Sequence, residues 1–258
     1  MEFIKSKDNP IVKKIVSIKS NRRERHSLGL FVAEGLRFCR DAVLSGTEIK
    51  VALITQDFLQ KHPDDARNIC NAANEVKCIS DLVSQKISDT VNSQGVFCLC
   101  AIKENKSELC GKRFIALENL QDPGNLGTII RTAEAFGIDG VVLIGNCVDI
   151  YSPKVLRSTM GTIFRIPFYS FNDNEAANEQ FKKLGLTVYG AVLDDNAKLL
   201  SKTGLCEKAV CLIGNEANGI SQEAKNICDK FVMIDMNGNA ESLNAAVAAS
   251  VIMWEMTK

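Results

Sequence analysis

Polar side chains follow three separate apolar runs of this sequence, at points where a strand would end and a helix would begin. The three stretches are 120–137, 214–220 and 236–250, and each contains a turn rich in glycine or asparagine. In parallel α/β sheets, ligands bind beyond the carboxyl ends of the strands, so side chains at these points are candidates for chemistry. A carboxylate there orients a nucleophilic hydroxyl, and amide, hydroxyl and guanidinium groups face a polar ligand. The candidate catalytic residues are Asn125, Arg131, Glu216, Ser242 and Asn244.

Both candidates in the first stretch also have a purely structural explanation. Asn125 follows a Pro123-Gly124 turn and is a predicted N-cap of the next helix. Arg131 falls in the second helical turn, where a long side chain leans back toward the strand end. The alternative is that Arg131 faces solvent and pairs with Glu134, three residues further along.

The candidates in the other two stretches have structural alternatives as well. Glu216 lies just after the apolar run AVCLIG and either orients a hydroxyl or caps the following helix, SQEAKNIC. Ser242 and Asn244 precede an alanine-rich helix and either cap its first turn or face a ligand. One such turn leaves these alternatives open, but three of them after neighbouring strands favour a shared site.

Short apolar runs in the C-terminal half predict the strands that position these turns. Runs that are apolar almost throughout belong to a parallel sheet that is covered by helices on both faces. The predicted fold class is therefore α/β. The predicted strands from residue 113 onward are RFIALEN, GVVLIG, LTVYGAVL, AVCLIG and FVMID.

The N-terminal part also alternates between strands and helices, which is typical of an α/β layer structure. A basic helix is predicted after Asn9-Pro10, and a second helix over LRFCRDAVLSG. Residues 103–112 are polar and without pattern, so they are the predicted linker between domains 1–102 and 113–258. The predicted strands of the first domain are GLFVAEG, KVALIT, EVKCIS and GVFCLCAI.

The last helix is predicted to belong to the core. Leu243, Val247, Val251 and Trp254 form an apolar stripe at helical spacing. The alanines between them permit close packing. We expect this stripe to face the protein interior.

Several function classes lose support from what the sequence lacks. The two histidines are His26 and His62, which excludes a Ser-His triad or a histidine metal site in the C-terminal half. Neither G-x-G-x-x-G after a strand nor G-x-x-x-x-G-K-[ST] occurs, which argues against a dinucleotide site and a phosphate loop. The ten cysteines form no C-x-x-C pair, which favours reduced core thiols over a zinc site. No run approaches the ~20 apolar residues that span a bilayer, so we expect a cytoplasmic protein without a metal.

Formal charge is distributed unevenly along the chain. Residues 1–37 contain nine Lys or Arg and four Asp or Glu, a net charge of +5 in a chain whose formal net charge is zero. The remaining residues therefore carry a net charge of −5. This asymmetry predicts that the basic end faces a polyanion, and the alternative is a solvated basic helix.

Taken together, the three stretches resemble the motifs of the SpoU (TrmH-like) family of RNA ribose 2′-O-methyltransferases, within the SPOUT superfamily. DPGNLGTIIRTAEAFG is similar to the first motif, LIGNEANGI to the second and SLNAAVAAS to the third. FVAEGLRFCRDAVLSG, preceded by the basic helix, is similar to the family's small ribosomal-protein-like substrate-binding domain. The resemblance extends over essentially the whole chain, and the joint order and spacing of the motifs is specific.

The resemblance implies a C-terminal domain with a deep trefoil knot, a homodimer, and S-adenosylmethionine as the cofactor. It places Ser242 and Asn244 toward a reacting ribose. Arg131 then acts either as a base or as a clamp that stabilises the developing alkoxide, and the cost of deprotonating a guanidinium argues against the base. The implied cofactor-binding residues are Val192, Gly214, Asn215, Ile234 and Leu243.

The implied reaction is methyl transfer to a ribose 2′-hydroxyl of RNA. A full N-terminal domain favours 23S ribosomal RNA over transfer RNA as the substrate. A non-catalytic RNA-binding protein that retains the fold is the alternative from another functional class.

Overall fold

The computed structural model describes residues 2–103, 108–194, 197–205, 207–236 and 238–258. The strands are β1 (Glu2–Ile4), β2 (Leu30–Glu34), β3 (Ile49–Thr55), β4 (Ala73–Ile79), β5 (Val96–Ala101), β6 (Arg113–Glu118), β7 (Gly140–Ile144), β8 (Phe168–Phe171), β9 (Thr187–Ala191), β10 (Lys198–Leu199), β11 (Ala209–Ile213) and β12 (Lys230–Met233). The helices are α1 (Pro10–Ser20), α2 (Arg22–Leu28), α3 (Leu36–Leu44), α4 (Gln56–Lys61), α5 (Pro63–Ala72), α6 (Asp81–Ile87), α7 (Pro123–Ala135), α8 (Pro153–Thr159), α9 (Asn174–Leu184), α10 (Gln222–Ile227) and α11 (Ala245–Met256).

The described residues pack into two compact units. The first unit contains residues 2–103 together with Tyr151–Phe164, and the second contains residues 108–150 and Arg165–Lys258. The segment Tyr151–Phe164 lies in the predicted C-terminal domain by sequence, yet it packs in the first unit. Residues 104–107 of the predicted linker lie outside the described residues, so the linker stays a prediction.

In the first unit, the described strands form a five-stranded mixed sheet in the order β1-β4-β3-β5-β2. β5 runs antiparallel to both β2 and β3, whereas β4 pairs in parallel with β1 and β3. Helix α1 begins at Pro10 because the Asn9 side chain accepts a hydrogen bond from the amide of Ile11. Its buried residues Val12, Ile15 and Ile18 join the core that covers one face of this sheet.

Part of the basic character of residues 1–37 is internal. The side chain of Arg25 is buried and donates to the carbonyl oxygens of Ile18 and Lys19, at 2.6 and 2.8 Å. Lys19 is itself only 9% exposed. The net charge of this segment therefore overstates the positive charge that faces solvent, because buried cations are compensated within the protein.

Aromatic contacts hold the segment Tyr151–Phe164 in the first unit. The ring centroid of Tyr151 lies 4.9 Å from that of Phe31, which is 2% exposed. The ring of Phe164 lies 5.0 Å from that of Phe38. These separations are typical of favourable aromatic pairs, so the segment completes the packing around β2 and α3.

In the second unit, the described strands form a seven-stranded parallel sheet in the order β10-β12-β9-β11-β6-β7-β8. This confirms the α/β class and the parallel sheet. Side chains alternate between the two faces of each strand. On one face, Phe114 and Ala116 of β6 pack with residues of α9 and α10, including Phe181 and Ala224. Helices α7 and α11 pack against each other, and α11 also packs on β6 and β11.

The last helix is oriented differently from its prediction. Val247, Val251 and Trp254 are 48%, 37% and 53% exposed, so the predicted core-facing stripe lies on the surface. The buried residues of α11 are Ala246, Ala249, Ile252, Met253 and Met256. Nearly every position of this helix is apolar, and therefore the spacing of the larger residues did not identify its buried face. The buried alanines, Ala246 and Ala249, permit a close approach of α11 to the elements on which it packs.

The core of the second unit depends on Phe181, which is fully buried in α9. We expect Phe181→Ala to lower the free energy of unfolding by about 3–5 kcal/mol, because it removes apolar contacts and leaves a cavity. Chemical denaturation with urea would measure the change. Lys182→Ala, at the adjacent exposed position of the same helix, is the matched control and is expected to have little effect. Equal stability of the two variants would contradict this assignment of the core.

Candidate active site

A cavity of about 560 Å³ lies in the second unit at the carboxyl ends of β9, β11 and β12, beside the start of α11. Strands β9 and β11 are neighbours in the sheet, and β12 pairs with β9, so the chain segments that leave these strands meet at one edge. The lining includes eight of the residues singled out in the sequence: Val192, Gly214, Asn215, Glu216, Ile234, Ser242, Leu243 and Asn244.

A chain of side-chain hydrogen bonds joins three distant parts of the sequence at this cavity. The amide of Asn125, in the first turn of α7, donates to Glu216 Oε1 at 3.1 Å. The amide of Asn244, which precedes α11, donates to Asn125 Oδ1 at 2.9 Å. The three candidates are therefore in direct contact, although 91 and 119 residues separate the bonded pairs.

Glu216 accepts hydrogen bonds from the turn that precedes α7. The backbone amide of Asp122 donates to Oε1 at 3.0 Å and that of Gln121 to Oε2 at 3.3 Å. Partial burial alone would raise the pKa of Glu216, but its backbone hydrogen bonds and the Asn125 amide lower the pKa below its ordinary value. Glu216 is thus an ionised acceptor at neutral pH, and its bonds hold the loop after β11 against the start of α7.

The structure resolves the capping alternatives. Asp122 is the N-cap of α7, since its side chain accepts from the amide of Asn125 at 2.7 Å, so the prediction of Asn125 as N-cap was wrong. Pro123 occupies the first helical position and places Asn125 inside the first turn, where its amide is directed to Glu216. Ser221 caps α10, so Glu216 does not.

Asn244 performs two of the roles that the sequence left as alternatives. Its Oδ1 accepts from the amides of Ala246 and Val247, which makes it the N-cap of α11. Its amide group donates to Asn125 and lines the cavity. Ser242, two residues earlier, is exposed and also lines the cavity. The opening of this helix is therefore both a cap and part of the candidate site.

Arg131 does not line the cavity of its own chain. It is exposed on α7, and it makes no ion pair among the described residues. Glu134, the alternative partner in the sequence, instead accepts from Arg165 Nε at 2.7 Å. Arg131 lies six positions after Asn125, about a third of a turn away from the face that contacts Glu216, so the single chain does not bring it to the other four candidates.

Glu118 is a residue of this region that sequence reasoning missed. It is 3% exposed at the end of β6 and accepts from the backbone amide and the hydroxyl of Ser221, at 2.8 and 2.6 Å. The amide of Asn174 donates to it at 2.7 Å. Ser221 ends the loop that carries Glu216, so Glu118 fixes one end of that loop. One signal in the sequence could have identified Glu118. It is a carboxylate at the end of the apolar run RFIALE, which is a strand buried on both faces, and a buried carboxylate needs hydrogen-bond partners.

The other end of the same loop is fixed by the residue next to Glu118. The carbonyl oxygen of Asn119 accepts from the Asn215 amide at 3.0 Å. Asn215 and Gly219 exchange two backbone hydrogen bonds, at 3.0 and 2.9 Å, and close a tight hairpin. Gly214 is required there, because a Cβ atom would lie 1.9 Å from the Gly219 carbonyl carbon.

The described residues contain no group of three or more His, Cys, Asp or Glu side chains that could hold a metal ion. No helix in the described parts of the chain has the length and apolar character needed to cross a membrane. The lining of the cavity includes amide, hydroxyl, carboxylate and backbone groups.

The loop between Gly214 and Ser221 is expected to loosen when Glu118 is replaced by glutamine. Glutamine keeps the shape, but its NH₂ group cannot accept from Ser221 or Asn174, which leaves a buried donor unpaired at a cost of about 1–3 kcal/mol. Hydrogen exchange of the Asn215 and Gly219 amides, measured by mass spectrometry, should be faster in Glu118→Gln.

Glu207→Gln is the matched control for this experiment, because Glu207 is exposed and pairs with Lys112 at the surface. It is expected to leave exchange in the loop unchanged. Identical loop protection in the two variants would show that Glu118 does not hold the loop.

Family models match both parts of the chain. Residues 112–254 match the model of the SpoU rRNA Methylase family, and residues 9–98 match that of the MRM3-like substrate binding domain. The chain is 30% identical to the 23S rRNA (guanosine(2553)-2′-O)-methyltransferase RlmP of Bacillus subtilis, over 99% of each protein.

Solved structures agree with this relationship over the full length. An AdoMet-bound rRNA methyltransferase from Sinorhizobium meliloti is 28% identical, with a TM-score of 0.88 over 99% of this chain and 97% of that one. A protein described as an RNA 2′-O ribose methyltransferase is 26% identical, with a TM-score of 0.80 over 98% and 97% of the two chains. With Glu216, Asn125 and Asn244 in contact at one cavity, the chain belongs to the SpoU rRNA methylase family and is an S-adenosylmethionine-dependent RNA methyltransferase.

Proposed function

We propose that this protein methylates a ribose 2′-hydroxyl of 23S ribosomal RNA. The observation that carries the proposal is the hydrogen-bonded set of Glu216, Asn125 and Asn244 at the edge of one cavity. The full-length similarity to the B. subtilis 23S rRNA 2′-O-methyltransferase supports the substrate. The match of residues 9–98 to a substrate-binding domain also supports ribosomal RNA, because a full N-terminal domain favours ribosomal RNA over transfer RNA as the substrate.

The cavity fits S-adenosylmethionine in size and in chemistry. When bound, this cofactor supplies an electrophilic methyl group on a sulfonium centre. Val192, Ile234 and Leu243 offer apolar side chains to an adenosine, and the chain around Gly214 approaches closely because that residue has no side chain. We assign cofactor binding to these residues and to Asn215, which lines the same cavity.

The polar residues of the cavity are suited to hold a ribose rather than to remove a proton by themselves. Both oxygens of Glu216 already accept hydrogen bonds from the protein, so its proposed role is to orient Asn125 and the start of α7. The Ser242 hydroxyl and the second N–H of the Asn244 amide remain available for the sugar. Positioning a hydroxyl at near-attack distance is itself a large part of catalysis for a weak nucleophile.

We assign the exposed apolar stripe of α11 to a homodimer interface. Val247, Val251 and Trp254 are large apolar residues on one exposed face, and the Trp254 ring lies 5.6 Å from that of Phe136 after α7. A contiguous apolar surface of this kind is typical of a contact between proteins. A two-fold dimer buries the same surface from both subunits.

The dimer also gives a role to Arg131. This residue is exposed on α7, the helix that packs beside the apolar stripe, and it lies away from the cavity of its own chain. We propose that Arg131 reaches the cavity of the partner subunit and stabilises the negative charge that develops on the ribose oxygen. A guanidinium remains protonated at any physiological pH, which suits a clamp better than a base.

Two further features of the family are part of the proposal. The trefoil knot is supported by the sheet order, because the chain leaves β12, near one edge, and returns as α11 beside α7 and β6. A cytoplasmic location is supported by the ribosomal substrate and by the free thiols of the described cysteines, several of which are buried in strands.

Arg131→Ala is expected to reduce methyl transfer by about 100-fold, the usual effect of removing one group that stabilises a developing oxyanion. Its affinity for S-adenosylmethionine should stay near that of the wild type, since the proposed contact of Arg131 is with the ribose oxygen and not with the cofactor. Radiolabelled methyl transfer to a 23S rRNA transcript and isothermal titration with the cofactor would measure the two quantities. Wild-type turnover would remove Arg131 from the mechanism.

Trp254→Glu is expected to separate the dimer, because it places a charge in an apolar contact. Light scattering after size exclusion would measure the molar mass. Leu44→Glu, which changes a residue that is 77% exposed in the first unit, is the control and should leave the mass unchanged. A dimeric Trp254→Glu protein would contradict the assigned interface.

Mixed subunits test whether Arg131 acts across this interface. Arg131→Ala and Asn244→Ala are each expected to be nearly inactive alone. A heterodimer of the two contains one cavity with an intact Asn244 and the partner's intact Arg131, so mixing followed by subunit exchange should restore activity. No restoration in confirmed heterodimers would show that Arg131 acts within its own chain or not at all.

A further inference from the structure

A second cavity, which we call the Lys19 cavity, lies within the first unit and has a volume of about 190 Å³. Its walls come from the turn between β2 and α3, from the loop before β5, and from the segment 153–160. The last of these belongs by sequence to the match with the SpoU methylase model, whereas the others belong to the match with the substrate-binding domain. Neither match assigns a site to this cavity.

The base of the Lys19 cavity is a network of paired charges. The side chain of Lys19 is 7% exposed and lies 2.7 Å from Glu34 Oε2 and 3.0 Å from Asp89 Oδ2. It also donates to the carbonyl oxygen of Ile87. Arg157 lies 3.1 Å from the same oxygen of Asp89. Two cations and two carboxylates thus balance one another, which is the condition under which charges remain buried.

Glu34 is fully engaged in this network. Burial alone would raise the pKa of Glu34, but the hydrogen bonds from Lys19 and Ser88 lower it below the ordinary value. Its oxygens also accept from the backbone amide of Asp89, at 3.2 and 3.3 Å. Glu34 is therefore ionised at neutral pH, and with its partners it forms a polar end to the cavity.

One positive charge at the rim is left over. Arg37, at the start of α3, is exposed, lines the cavity and has no ion pair among the described residues. Arg157 on the opposite wall is 47% exposed, so its guanidinium also faces solvent. Together with Lys19, the two guanidinium groups give three positive charges against the two carboxylates, so an anion at the rim meets one net positive charge.

The walls of the Lys19 cavity are apolar. Val32 and Leu156 are 7% and 4% exposed, and Phe38 is half-buried beside them. Met160 completes this wall with 46% of its surface exposed. Its backbone has a φ of 49°, in the left-handed region that a methionine adopts only at a cost in free energy. Backbone strain of this kind is often retained where a side chain has a function.

We propose that the Lys19 cavity binds one nucleotide of the RNA substrate, with its base against Phe38, Leu156 and Met160 and its phosphate between Arg37 and Arg157. A planar base packs on aromatic and apolar side chains, and arginines at the rim bind the phosphate. The inference rests on the proposed function, because it takes RNA as the substrate, and it adds a recognition site away from the methyl-transfer cavity.

Arg37→Ala and Met160→Asn test the two halves of this site by filter binding to a 23S rRNA transcript over a range of salt concentrations. Arg37→Ala is expected to weaken binding and to reduce the salt slope by about one, as the loss of one phosphate contact does. Met160→Asn removes the apolar wall but suits the left-handed backbone, since asparagine adopts it readily. It should weaken RNA binding by about tenfold while its melting temperature is unchanged or higher.

Arg40→Ala is the matched control, because Arg40 lies on the same helix, outside the cavity, and pairs with Asp65 at 2.7 Å. It is expected to retain wild-type RNA affinity and salt slope, and all three variants should bind S-adenosylmethionine normally. RNA affinities of Arg37→Ala and Met160→Asn that match that of Arg40→Ala would overturn the inference, even if methylation were normal. A wild-type protein that binds the 23S rRNA transcript but does not methylate it would contradict the proposed function. The comparison of RNA affinities among the variants would still decide the inference in that case.

Discussion

The candidate active site depends on one constraint, which is the hydrogen-bonded contact of Glu216, Asn125 and Asn244. These residues come from a loop after β11, the first turn of α7 and the turn before α11. Asn125 and Asn244 each have a further bond within their own segment, and Glu216 also accepts from the backbone amide of Asp122. A single ionised carboxylate thus orders two amides in series, and the second of them, Asn244, lines the cavity. Asn125 donates to Glu216 and Asn244 donates to Asn125, so the positions of the nitrogen and the oxygen in both side-chain amides are defined.

Behind this contact, β6 provides a rigid support. Glu118 and Asn119 are consecutive residues at the end of a central strand, and they bind the two ends of the loop that carries Glu216. A buried carboxylate is tolerated only where it is satisfied, and Glu118 accepts three hydrogen bonds. The loop is therefore held by a buried strand of the sheet, which gives a segment with two glycines a fixed shape.

The fold class and most of the candidate site could be predicted from the sequence. Apolar runs indicate buried strands, and the polar turns that carry the candidate residues directly follow three of these runs. The orientation of α11 could not, since a helix that is apolar on every side gives no signal for its buried face. Asp122, not Asn125, caps α7, and local residue preferences for helix starts fit both positions equally well. Arg131 shows a different limit: a sequence places it on a helix, but its distance from a cavity depends on the direction of that helix. Glu118 was missed because its partners, Asn174 and Ser221, are 56 and 103 residues away.

The path of the chain between the two units has a consequence for how such a protein can be rearranged. The segment Tyr151–Phe164 leaves the second unit, packs against Phe31 and Phe38 in the first, and then returns. A fragment that ends at residue 104 would lack this segment, so the rings of Phe31 and Phe38 would be exposed. The C-terminal part would keep the segment, which connects β7 to β8, but without the surface on which it packs. Recombination that exchanges the whole N-terminal module at this boundary would therefore lower the stability of the product. Changes of RNA target are instead expected to accumulate by point substitutions within the module.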